Sequence, residues 1–111
     1  MKVDITELFV FFDEVMPSTD EEQKIYWLKT TREDQLTVIC IISIFEESVA
    51  ILIENEKETC ISSVDFKNCP QIRILDQEKK CLEVLSSDGH GRCFLSLLGD
   101  SILSYNEFLR E

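Results

Sequence analysis

The sequence predicts an α+β fold: an antiparallel β-meander of about six to seven strands, with an N-terminal and a C-terminal helix. Three observations support it. A capped helical pattern opens the chain, period-two alternation runs from Lys24 to Leu98, and a second helical spacing closes the chain. Short polar turns separate the strands, and short connections join only antiparallel neighbours. With 111 residues, 44% of them hydrophobic, residues 1–111 are expected to form a single domain.

The first helix is predicted from Asp4 to the residue before Pro17. Asp4 and Glu7 have the spacing of a capping box, and Pro17 disfavours helical backbone at the residue before it. Val10 and Phe11 are also apolar but lie off the main stripe, so this helix is expected to be covered on more than one side. The main apolar stripe consists of Ile5, Leu8, Phe9, Phe12 and Met16.

The strands are predicted from runs of alternating or β-branched residues bounded by polar turns. The second run is apolar on both faces in its middle, which is typical of a strand covered on both sides. After Gly99 and Asp100, residues 101–110 are predicted to form a closing helix with Ile102, Tyr105 and Leu109 on one face. The predicted strands are residues 24–30, 35–45, 48–54, 59–66, 71–76, 81–85 and 92–98.

The charge balance restricts the classes of partner. Twenty-two Asp and Glu residues face eleven Lys and Arg residues, for a formal net charge of -11. Nucleic acids and anionic membranes are bound through basic side chains, so neither is expected as a partner. A basic protein surface is favoured because it would be attracted over a long range. The alternative is that the charge serves only to keep the chain in solution.

The cysteines and the N-terminus predict a cytoplasmic location. Five cysteines are an odd number, and no two form a C-x-x-C pair. Acidic residues appear before any long apolar run, unlike in a signal peptide. The longest apolar run, residues 38–44, is too short to span a bilayer. Reduced thiols are expected in such a protein.

One segment has the residues that catalysis would need. Asp88, Gly89, His90 and Gly91 contain the only histidine of the chain, which could act as a base or a ligand. Asp-Gly is also a standard hairpin signal, and no nucleophile motif accompanies it. A zinc set of Cys69, Cys81, His90 and Cys93 lacks the usual spacing, which only His90 and Cys93 satisfy. No catalytic, cofactor-binding or metal-binding residue is therefore predicted.

The acidic pairs and the large aromatic residues remain as candidates for protein contact. Carboxylates would steer a basic partner to the surface, and an exposed tryptophan would anchor it. The predicted function is a non-enzymatic acidic protein-binding module, in its most concrete form an immunity- or antitoxin-like inhibitor of a basic protein. The alternatives are a homo-oligomeric structural domain that associates with itself, or a small hydrolase or ligand-binding protein that uses His90. The predicted partner-binding residues are Glu21, Glu22, Trp27, Glu46, Glu47, Glu54 and Glu56.

Overall fold

The computed structural model describes residues 1–86, 88 and 90–107. Within these residues the chain forms one short helix and nine strands. In chain order they are α1 (Ile5–Phe11), β1 (Glu14–Val15), β2 (Ile25–Thr31), β3 (Thr37–Ser43), β4 (Ser48–Glu54), β5 (Cys60–Phe66), β6 (Gln71–Asp76), β7 (Cys81–Ser86), β8 (Gly91–Ser96) and β9 (Leu103–Glu107).

The strands form two antiparallel sheets. The first sheet has the order β1-β2-β3-β4-β5, and the second has the order β6-β7-β8-β9. Every pair within a sheet joins strands that are consecutive in the chain, as a meander requires. The predicted α+β class with two helices is wrong, because the described chain is mostly β and contains one short helix.

The N-terminal helix is present but ends earlier than predicted. The Asp4 carboxylate accepts a hydrogen bond from the Glu7 backbone N–H at 3.1 Å, which is the predicted cap. Extended backbone marks both ends of the helix: φ is -98 at the N-cap residue Asp4 and -95 at the C-cap residue Phe12. Glu14 then pairs with Lys29 of β2. Extended backbone at Phe12 allows both Phe11 and Phe12 to be buried, at 0% and 1% exposure.

The predicted C-terminal helix is wrong where the structure describes it. Leu103–Glu107 is strand β9, and Tyr105 lies opposite Cys93 of β8. When β9 pairs with β8, the backbone N–H and C=O groups on that side of β8 gain hydrogen-bond partners. This gain in hydrogen bonding outweighs the helical spacing of the apolar residues. Residues 108–110 of the predicted helix lie outside the described residues.

The two sheets pack face to face on a shared core. Buried residues of both sheets belong to one hydrophobic cluster, together with the buried side chains of α1. Arg32, after β2, donates from Nη1 to the Leu97 carbonyl at 3.0 Å and so ties the first sheet to the end of β8. The buried strand residues of the cluster are Tyr26, Leu28, Val38, Cys40, Ile42, Val49, Ile51, Ile72, Leu82, Val84, Cys93 and Leu95.

The hairpin turns carry much of the acidic charge. Asp20, Asn55 and Asp76 each begin a turn by accepting hydrogen bonds from backbone N–H groups that follow. Left-handed residues, among them Lys24 and Glu58, complete several turns without glycine. The acidic pairs are therefore placed mainly at the ends of the sheets. No helix in the described part of the chain is long and apolar enough to cross a membrane.

Candidate protein-binding face

The central part of the side of the first sheet that faces away from the core is largely apolar. Alternation along each strand points Tyr26, Leu28 and Ile51 into the core and their neighbours to the opposite side. We call this opposite side the outer face. Its central residues are Trp27, Lys29, Ile39, Ile41, Ala50, Leu52, Ser63 and Asp65, and the same alternation places the polar residues Thr31, Thr37, Ser43 and Ser48 on this side toward the strand ends.

Strand register arranges these residues in two rows across the sheet. Trp27 lies opposite Ile41, Ile41 opposite Ala50, and Ala50 opposite Asp65. The second row runs from Lys29 through Ile39 and Leu52 to Ser63. Ile39 is only 6% exposed although it is not part of the core cluster. The outer face is therefore a packed apolar surface and not a row of isolated side chains.

Carboxylates surround this surface. Glu14 lies beside Lys29, with Oε2 3.7 Å from Nζ. Glu54 ends β4, and Asp65 lies on β5. Such an arrangement joins an apolar contact area to a negative rim, which is the usual plan of a protein interface for a basic partner.

A depression of about 570 Å³ opens at the β5 side of the outer face. Ile41 and Ala50 contribute to its apolar wall, and Glu46 and Asp65 contribute carboxylates. The small side chain of Ala50 leaves room between its larger neighbours. Lys67 also lines the depression, so its charge is mixed but predominantly negative.

The seven predicted partner-binding residues do not form a single site. Trp27 lies on the outer face, Glu46 lines its depression, and Glu54 lies at its edge. Register places the turns containing residues 21–22 and 46–47 at one end of the sheet, and Glu54 and the turn with residue 56 at the other.

Glu47 forms an ion pair and a backbone hydrogen bond within the chain. Its carboxylate lies 3.1 Å from the N-terminal ammonium group, and its carbonyl accepts from the Cys69 N–H at 2.8 Å. Glu47 therefore holds the N-terminus against the turn before β4.

The prediction from sequence missed most of the outer face, namely Ile39, Ile41, Ala50, Leu52 and Asp65. A signal for it was present, because β3 is apolar on both sides. The same pattern predicts a strand covered on both faces. In the structure Ile41 is partly exposed beside the open depression.

The groups considered for catalysis and metal binding are dispersed. His90 is partly exposed in the turn before β8 and lines neither the depression at Ile41 nor those at Thr30 and Gln71. Within the described residues, no three His, Cys, Asp or Glu side chains come together as metal ligands. Ser87 and Gly89 of the same loop lie outside the described residues.

Burial lowers the reactivity of the three cysteine thiols in the core. Burial raises the pKa of the Cys40 thiol to about 12 and that of the Cys69 and Cys93 thiols to about 11. Cys60 is exposed and Cys81 is partly buried, and all five are free. Three of the five cysteines are therefore core residues, whereas Cys60 lies at the surface.

A second depression, of about 340 Å³, lies where β2 and β8 end. Both cations in its wall are already bound by the chain: Lys80 Nζ donates to the Val10 carbonyl at 2.9 Å, and Arg32 pairs with Asp34 at 3.1 Å. These contacts fix the end of the two sheets, which makes this depression less suited to a ligand than the outer face.

The second sheet has a buried ion pair on its own outward side. Glu83 is 2% exposed, and its Oε1 accepts from Arg73 Nη2 at 2.7 Å and from Nε at 3.0 Å. Arg92 Nε lies 4.0 Å from Oε2. The pairing compensates the buried carboxylate and joins three neighbouring strands, so its role is structural.

In comparisons with known proteins, no family model, no curated protein and no solved structure matches this chain.

Proposed function

We propose that this chain is a non-enzymatic protein-binding module that covers a basic protein surface, in the manner of an immunity- or antitoxin-like inhibitor. The observation that carries the proposal is the outer face, where Trp27, Ile41 and Leu52 form an apolar surface beside carboxylates. Aromatic and aliphatic residues in the centre of an interface supply most of the affinity, and rim charges supply the association rate.

The net charge of -11 supports the choice of a basic partner. It opposes nucleic acid, and it also opposes close approach of a second copy with the same charge. We propose the cytoplasm as the location, supported by five free cysteines. Self-association remains the rival occupant of the outer face.

Trp27 makes the proposal testable because it is the only tryptophan in the chain. The probe is a tryptophan-free amphipathic peptide of arginine and leucine, and the control peptide has glutamate in place of arginine. Binding at the outer face should shift the emission of Trp27 to shorter wavelength and saturate. Association should slow as salt rises, because exposed charges are screened beyond about 10 Å at 0.1 M salt.

Charge-reversed variants locate the site. Glu46→Lys with Asp65→Lys, both at the depression, should slow association by about tenfold. Glu78→Lys with Asp100→Lys makes the same change in net charge at exposed turns of the second sheet and should have a much smaller effect. Equal effects of the two pairs, or no change in Trp27 emission, would contradict the proposed site.

A further inference from the structure

Within the described residues, β5 forms a lateral edge of the first sheet that no further strand pairs with. β5 ends the sheet order, and six of its seven residues pair with β4 on one side. Among the backbone hydrogen bonds of the described chain outside the sheets, none involves Cys60–Phe66. The backbone groups that point away from β4 therefore have no backbone partner within the described residues, although the Ser62 carbonyl accepts a hydrogen bond from Cys60 Sγ at 3.4 Å.

Two of the other three sheet edges are shielded; the third is β9, whose described residues end at Glu107. At the opposite end of the same sheet, β1 has only two residues. In the second sheet, β6 is bridged by the N-terminal segment: Lys2 N–H donates to the Pro70 carbonyl at 2.7 Å, and Ile72 N–H donates to the Lys2 carbonyl at 3.0 Å. Proteins commonly shield edges by short strands and covering segments. β5 has seven residues, and within the described part of the chain no backbone hydrogen bond joins another segment to its free side.

The composition of β5 offers little further protection. Cys60–Phe66 contains one charged residue, Asp65, and no proline. A shift in register, which leaves Ile61 unpaired, lies near its first residue. Ser62–Phe66 keep regular pairing with β4, so about five residues present a regular edge.

We propose that β5 receives an extended segment of a basic partner protein as an added antiparallel or parallel strand. The added strand would hydrogen-bond to the backbone of Ser62–Phe66. Its side chains would alternate between the two sides of the sheet. The inference rests on the proposed basic partner and shares Asp65 and Glu46 with the outer face. It concerns backbone pairing at the edge and does not need Trp27, which lies three strands away, about 14 Å across the sheet.

Charge and packing indicate which residues such a segment carries. On the outer side it would lie beside Ser63 and Asp65, with Glu46 across the depression. Glu54 lies opposite Cys60, so a further carboxylate is near the other end of the strand. Lys67 is a basic residue at the same edge, but carboxylates outnumber it. Basic side chains are therefore favoured on this side.

The core side of the edge is apolar. Val64 and Phe66 pack against the core, and the ring of Phe66 stacks on Tyr105 of β9 with centroids 5.3 Å apart. Tyr105 is 44% exposed, so an added strand could cover it. The favoured segment therefore alternates basic residues on the outer side with apolar residues on the core side.

The experiment uses a blocked peptide of about eight residues with alternating arginine and valine, which is the length of an ordinary strand. Two further versions carry N-methyl groups, one on every arginine amide and the other on every valine amide. In an added strand only one of these sets of amides faces β5. We expect one methylated peptide to lose binding by tenfold or more and the other to bind within about threefold of the parent, by titration calorimetry.

Protein variants and hydrogen exchange complete the test. The parent peptide should slow exchange at β5 amides within Ser62–Phe66. Asp65→Asn should weaken binding, whereas Glu78→Gln, at an exposed turn of the other sheet, should not. Trp27→Phe should leave binding of this peptide unchanged, so this inference and the proposed function can fail separately.

Several results would overturn the inference. They are equal binding by the two methylated peptides, unchanged exchange in β5, or no binding of the parent peptide. Sedimentation of the protein alone tests whether a second copy of this chain occupies the edge. A dimer that the peptide dissociates would assign the edge to a second copy of this chain instead of a basic partner.

Discussion

At the scale of single residues, the five cysteines have similar neighbours in the sequence but different environments in the folded chain. Cys40 and Cys93 point into the core from β3 and β8, and Cys69 is buried beside the turn that Glu47 completes. Cys60 lies on the open edge strand and is exposed. Each lies in or beside an apolar run, so the sequence pattern does not distinguish the exposed thiol from the buried ones.

Thiol titration of the native protein should reflect this division. Near pH 8, Cys60 should react rapidly with a disulfide reagent, Cys81 should react more slowly, and the other three should react only on unfolding. The raised pKa of the three buried thiols keeps them protonated, and the core excludes the reagent. Cys60→Ser should remove the rapid phase. Persistence of that phase in the variant would show that another thiol is exposed.

The buried acid Glu83 is a second feature that residue identity alone does not reveal. Its strand was predicted correctly, but a glutamate in a period-two pattern is expected to face solvent. Arg73 lies directly opposite it on β6, ten residues away in the chain. Only the pairing of β6 with β7 brings the two side chains together.

At the scale of elements, the predicted strands correspond closely to β2 to β8, while the two ends of the chain differ. Alternation and turn residues are local signals, and they marked each hairpin. The C-terminal segment carries an ambiguous signal, since Ile102 and Tyr105 suit a helix while Leu103–Glu107 also suits a short strand. The open edge of β8 decided between them by offering backbone partners.

Gly91→Ala tests the position of β9. A Cβ at residue 91 would collide with Tyr105 Oη and Ser86 Oγ, because the Tyr105 hydroxyl occupies the space beside this glycine. The variant should lose about 1–3 kcal/mol of unfolding free energy, measured by urea denaturation. Gly99→Ala is the control, since its Cβ would meet chiefly the movable Ser96 hydroxyl at 2.9 Å. Equal, small losses in both variants would contradict the pairing of β9 with β8.

At the scale of the whole molecule, burial of ionisable thiols links stability to alkaline pH. The buried thiols have a pKa of about 11 to about 12, against an ordinary value of 9.0. Between about pH 9 and pH 11 the unfolded chain loses protons that the folded chain retains. The unfolded state then binds fewer protons, so stability falls as pH rises.

The free energy of unfolding should therefore drop between about pH 8 and pH 10, by about 1 kcal/mol for each buried thiol. Cys93→Ala removes one such thiol, so its drop should be smaller by about that amount, although the variant is less stable at both values. Cys60→Ser should keep the full drop. An unchanged drop in Cys93→Ala would refute the linkage.

The sequence by itself determined the features that depend on near neighbours in the chain: the Asp4 cap, the strands from β2 to β8, the turns between them and the acidic charge. The tertiary structure alone decided how the strands divide into two sheets, that residues 103–107 join β8, and that Trp27, Ile41, Ala50 and Asp65 form one row. Those outcomes depend on backbone pairing and on which apolar faces cover one another. Both are contacts between residues far apart in the chain, and local periodicity contains no record of them.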